Sequence, residues 1–154
     1  MPQLAKGGKY VFGWSKIGQK GEVQIPAEAV KEYELKPGEK VILISGSKTS
    51  GGFVVAKRSL IEQSAIPVLA ENPDLANYKI AEGTTIKFKG RLYSWTRIRG
   101  RGQMTLPPHT LDTFQIKPGD HLLSIRGSNV GFVMGVKGPI IEKAKLHPEL
   151  QAFE

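Results

Sequence analysis

The sequence predicts a mainly β protein with short helices, built from two copies of one β-β-α-β-β unit that interleave. Three observations carry this expectation. Slid against itself by 81 positions, the 154-residue chain lays WSKIGQKGEVQIPAEAVKEYELKPGEKVILISGS (14–47) on WTRIRGRGQMTLPPHTLDTFQIKPGDHLLSIRGS (95–128), and ten of those 34 positions are identical. The shared residues include Trp14/Trp95, Gly21/Gly102, Pro26/Pro107 and the run Lys36-Pro37-Gly38 on Lys117-Pro118-Gly119. The apolar runs, such as 41–44 and 53–56, are the length of strands and far too short to span a membrane. Finally, each unit (1–77 and 78–154) offers only a few short strands, which leaves a marginal core and open strand edges. A sister unit would cover those edges, and covalent linkage makes the pairing intramolecular.

Each unit parses in the same order. Residues 9–14 and 87–95 read as opening strands that run into a basic segment. Short strands follow at 22–25 and 103–106. Pro26 and Pro107 then open brief helices over 27–33 and 108–114, because a locked φ suits the first helical turn. The runs LKPGE and IKPGD close these helices with a turn that needs positive φ at Gly38 and Gly119. Strands 40–45 and 53–57, and again 121–126 and 132–136, form hairpins across the Gly/Ser-rich loops GSKTSGG and GSNVG. A helix ends each unit, at 60–70 and 140–146, and the tails NPDLANY and HPELQAF echo one another. Tyr33 and Phe114, closing the short helices, read as core. Trp14 and Trp95 match at a strand end and read as core or rim residues rather than as platforms for stacked bases.

Composition narrows the function. Lys plus Arg number 22 against 14 Asp plus Glu, a net charge of +8, which favours a polyanionic partner. The second half holds most of that excess. With no cysteine, disulfides, thiolate metal sites and Cys nucleophiles are excluded. His109, His121 and His147 do not have metal-ligand spacing, and no Ser-His-Asp order is present. GSKTSGG lacks the phosphate-loop pattern and sits inside a hairpin. No enzyme chemistry, metal or cofactor is expected. The N-terminal run MPQLAKGGKY has no apolar core of a signal peptide, so the expectation is a soluble cytoplasmic protein that does not engage membranes.

The sharpest chemical signal precedes Gly21 and Gly102. Arg97, Arg99 and Arg101 alternate with Ile98 and Gly100, so in extended backbone the three guanidinium groups share one face. Lys16 and Lys20 occupy the positions that match Arg97 and Arg101, and Gly18 stands where Arg99 does. Arginine suits bidentate contact with phosphate or guanine, and lysine acts as a point charge. Lys87, Lys89 and Arg91 alternate as well and would extend the stripe. The competing reading is a solvated basic strand that protects a sheet edge.

The runs KGEVQIPAEAVKEYELKPGEKV and RGQMTLPPHTLDTFQIKPGDHL resemble the AbrB/MazE/SpoVT looped-hinge DNA-binding domain. That resemblance implies a swapped-hairpin β-barrel, closed here within one chain as a pseudo-dimer. It also implies a regulator of transcription that binds double-stranded DNA through Arg97, Arg99 and Arg101, helped by Lys16 and Lys20. Two departures stand out: Glu22 follows the first hinge and would repel phosphate, and Lys31 in the first helix is replaced by Asp112 in the second. Two other functions compete. One is an antitoxin, which the short, lysine-bearing C-terminal appendix argues against. The other is a β-barrel adaptor that recognises protein and does not bind DNA. Leu60, Ile61, Val68 and Leu69 form an apolar stripe that would cap the barrel or join two chains.

Overall fold

The computed structural model describes residues 10–46, 51–57, 71–127, 131–147, 150 and 152–153. In chain order its elements are β1 (Val11–Lys16), β2 (Glu22–Gln24), α1 (Ala27–Glu32), β3 (Lys40–Ser45) and β4 (Phe53–Lys57). Then come α2 (Pro73–Ala76), β5 (Ile86–Phe88), β6 (Arg91–Arg97), β7 (Gln103–Thr105) and α3 (Pro108–Thr113). The chain ends with β8 (His121–Ile125), β9 (Gly131–Gly135), α4 (Pro139–Ala144) and β10 (Ala152–Phe153). The protein is mainly β with short helices. The expected helix at 60–70, with its apolar stripe, lies outside the described residues.

Eight strands form one sheet in the order β10-β1-β8-β9-β4-β3-β6-β5, and β2 and β7 form a separate ribbon. Strands from the first 77 residues pair repeatedly with strands from the rest. Trp14 of β1 faces Leu123 of β8, Ile42 of β3 faces Trp95 of β6, and Val54 of β4 faces Val133 of β9. In the ribbon, Val23 faces Met104. Among the described residues, only the hairpins β3–β4, β5–β6 and β8–β9 pair strands that are neighbours in sequence.

The expected closed barrel is not found among the described residues. The sheet ends at β5 and β10, which are three and two residues long, and it covers its faces with separate layers. On one face the β2–β7 ribbon and the helices α1 and α3 bury Val41, Leu43, Phe53 and Val55. On the other, Ile42, Ile44, Tyr93 and Trp95 pack with Leu75 of α2, while Leu123 and Ile125 pack with Ile141 and Ala144 of α4. Burial on both faces explains why β3 reads VILI rather than alternating.

Several positions 81 residues apart share their local backbone geometry. Leu35 donates to Val30 and Ile116 to Leu111, each bond closing a helix end. Glu34 (φ +50°) and Gln115 (φ +58°) are the left-handed residues of those ends. Gly38 and Gly119 follow with φ of +85° and +93°, as the KPG turns require. Residues 87–95 are a hairpin, not one strand, because Lys89 (φ +49°) and Gly90 (φ +81°) make a left-handed turn between β5 and β6. Lys87, Lys89 and Arg91 therefore do not continue one extended stripe.

Candidate nucleic-acid interface

Each basic segment is anchored at Ile17 or Ile98, both fully buried. Ile17 donates to the Asp120 carbonyl and accepts from Gly119, while Ile98 donates to Glu39 and accepts from Gly38. The KPG turn of one unit thus grips the basic segment of the other. Beyond the anchor the chain turns tightly. In the first hinge Gly18 donates to the Glu22 carbonyl and Gly21 to Gly18, and in the second Arg99 donates to Gln103 and Gly102 to Arg99.

These turns alter the expected display of arginines. Arg97 ends β6 and Arg99 remains extended, but Arg101 is left-handed at φ +63° inside a single helical turn. The shared face therefore stops at Arg99. Lys16, Lys20, Arg97, Arg99 and Arg101 are all exposed. The five divide into two groups rather than one stripe. The β2–β7 ribbon sets their separation, since Leu106 donates to Gly21 and Ile25 donates to Gly102. The two hinges thus enter the ribbon four residues apart, roughly 13 Å at about 3.3 Å per residue.

Their surroundings differ. Glu22 folds back over the first hinge, where its Oε1 accepts the Lys20 backbone N–H at 2.7 Å. The carboxylate that the sequence marks as unfavourable for phosphate is therefore part of that turn. The second hinge is held by two side chains from outside it. Gln24 of β2 donates from Nε2 to the Arg101 carbonyl at 2.6 Å. Glu82, in the segment leading to β5, accepts from the Thr96 hydroxyl at 2.7 Å and the Arg97 N–H at 2.8 Å through Oε2. Its other oxygen lies 3.6 Å from the Arg99 guanidinium. Among the described residues, Arg97, Arg101, Lys16 and Lys20 have no carboxylate partner. Arg97 also stands directly across from Lys40, whose ammonium lies 4.9 Å from the Tyr78 ring centre and 5.4 Å from that of Trp95.

Sequence reasoning missed Gln24 and Glu82. Gln24 matches Thr105 in the repeat, and Glu82 lies in the stretch between the matched segments. Neither has a local signature, because each acts only after distant parts of the chain meet. The tryptophans are asymmetric too. Trp95 is 5% exposed and its indole N–H donates to Ile80 at 2.9 Å. Trp14 is half-buried and borders a cavity of about 570 Å³ with His121, Val136, Ile141 and Lys145. Among the described residues, no three His, Asp or Glu side chains gather as metal ligands, and no helix is long and apolar enough to cross a membrane.

No protein-family model matches the chain. No curated protein matches it either. Among solved structures, the solution structure of PHS018 from Pyrococcus horikoshii is similar at a TM-score of 0.36 and 15% identity, covering 84% of this chain and 98% of that one.

Proposed function

We propose that this chain is a regulator of transcription that binds double-stranded DNA through its two basic hinges. On this reading its halves are AbrB-like β-β-α-β-β repeats with exchanged hairpins, and it works in the cytoplasm. The observation that carries the proposal is the pair of exposed cationic turns at opposite ends of the β2–β7 ribbon, whose entry points Gly21 and Gly102 lie four residues, roughly 13 Å, apart. That spacing is close to the roughly 12 Å width of a B-DNA major groove. Lys16 and Lys20 supply one turn, and Arg97, Arg99 and Arg101 the other. Arg97 across from Lys40 adds support, since like charges facing each other on a sheet are unfavourable until an anion joins them.

Selection of bound sequences from a random duplex pool at two salt concentrations tests this. A common sequence should be enriched at both. Lys16, Lys20, Arg97 and Arg101, which have no carboxylate partner among the described residues, give a slope of log K against log salt of about −3.6, at about −0.9 per phosphate neutralised. Changing Arg97, Arg99 and Arg101 together to Ala should flatten the slope by about 1.8, because Arg99 is already matched by Glu82. A folded triple variant with unchanged affinity and slope overturns the proposal.

A further inference from the structure

The geometry points to Glu82 as a built-in competitor for phosphate, a positioning residue that withholds Arg99 from DNA. This inference rests on the DNA-binding reading above and deepens it. Three contacts fix the carboxylate in place. Oε2 accepts from the Thr96 hydroxyl and the Arg97 backbone N–H, and Oε1 faces the Arg99 guanidinium at 3.6 Å. The segment that carries Glu82 is itself pinned. Gly83 donates to the Trp95 carbonyl at 3.0 Å and accepts from the buried Thr110 hydroxyl at 2.7 Å. Thr85 and Thr113 pair their hydroxyls at 3.0 Å one turn further along α3.

The matched positions show that this arrangement belongs to the second hinge, whereas the first hinge has its own carboxylate, Glu22, bonded to the Lys20 backbone N–H. Thr110 and Thr113 match Ala29 and Glu32 in α1, which lack those hydroxyls. Thr96 matches Ser15, whose hydroxyl donates to the Gln24 carbonyl instead. The second hinge thus has a carboxylate at the side of its middle arginine, and the first has glycine at the equivalent position, Gly18. An anionic oxygen facing a guanidinium is what a DNA phosphate offers. Arg99 is about half exposed (52%), so a phosphate can reach it, but must do so against Glu82. The consequence is a lowered affinity for polyanions in general, and an arginine that engages only when a phosphate is placed closely enough to displace or outbid the carboxylate.

Glu82→Gln isolates the charge. The amide oxygen still accepts from Thr96 and Arg97, whereas the attraction to Arg99 is lost. Duplex affinity should rise roughly two- to fivefold at 0.1 M salt, the scale of a half-exposed ion pair. The salt slope should steepen by about 0.9, one added phosphate contact. In an Arg99→Ala background the same substitution should change neither quantity. Unchanged or weaker binding by Glu82→Gln, or an equal gain in the Arg99→Ala background, overturns the inference and leaves the DNA reading standing. If the unaltered protein binds no duplex, the DNA reading falls, and the restraint is then read on the Arg99 Nε–Hε NMR signal during titration with pyrophosphate. A signal that moves at lower pyrophosphate in Glu82→Gln than in the unaltered protein supports the competitor role, and identical titrations overturn it.

Discussion

Glu34 and Gln115 each occupy the left-handed residue of a helix end, where side chains other than glycine are strained. The site itself is well used, since the carbonyls of Val30 and Leu111 receive the closing bonds there. Glu34→Gly and Gln115→Gly should therefore each stabilise the protein, by about 0.5–1 kcal/mol after the larger chain entropy of unfolded glycine is counted. Thermal or urea unfolding of the single variants checks this, and the two effects should add. Tyr33 poses a different residue-scale question, because its repeat mate is Phe114. The Tyr33 hydroxyl donates to the Gly131 carbonyl at 3.1 Å. Burial pushes its ionisation above the ordinary tyrosine value of 10.0. Tyr33→Phe should cost about 1 kcal/mol near neutral pH, the worth of one buried hydrogen bond. The folded state favours the neutral phenol, so this contribution is whole below pH 10 and lost as the pH rises past the folded value. The gap in melting temperature between the two proteins should accordingly narrow above pH 10.

Two glycines lie where the central strands β4 and β9 meet. A Cβ on Gly131 would collide with the Val55 carbonyl, and one on Gly52 with the Met134 carbonyl. Gly38, by contrast, has nothing within 4 Å of such an atom. Gly131→Ala should thus destabilise by about 1–3 kcal/mol through overpacking, whereas Gly38→Val should cost about 1 kcal/mol from its positive φ alone. Denaturant midpoints of the two variants measure the difference, and Gly131→Ala should be the worse. The contrast also shows what the sequence could reveal. The KPG turns, the short strands beside Pro26 and Pro107, and both central hairpins were legible because their signals are local. In the sequence Gly131 reads as the last glycine of the loop GSNVG, since nothing nearby announces the Val55 carbonyl. The β5–β6 hairpin was hidden because Lys87, Lys89 and Arg91 keep a strand-like alternation straight through the turn at Lys89-Gly90. At the candidate site, the identity and exposure of the five cations were readable. Their division between two hinges, the left-handed Arg101, and the restraints from Gln24 and Glu82 arise only from long-range contacts.

At the scale of the whole molecule, the pairings of β1 with β8, β3 with β6, β4 with β9 and β2 with β7 all join the first 77 residues to the remainder. Residues 1–77 alone keep the β3–β4 hairpin and lose every one of those partners. Expressed by themselves they should dimerise or stay poorly folded, as light scattering and circular dichroism would show. A stable monomer with native strand content would contradict the dependence. The same strand order sets a timetable for synthesis. Trp14 of β1 waits for Leu123, which leaves the ribosome roughly a hundred residues later, a delay of about 5–20 s at about 5–20 residues per second. Throughout that interval the nascent first half carries apolar strands with bare edges, and the equivalent strands of a neighbouring nascent chain are chemically suitable substitutes. Crowded translation of one message should therefore favour cross-paired dimers, whereas sparse translation lets each chain find its own second half.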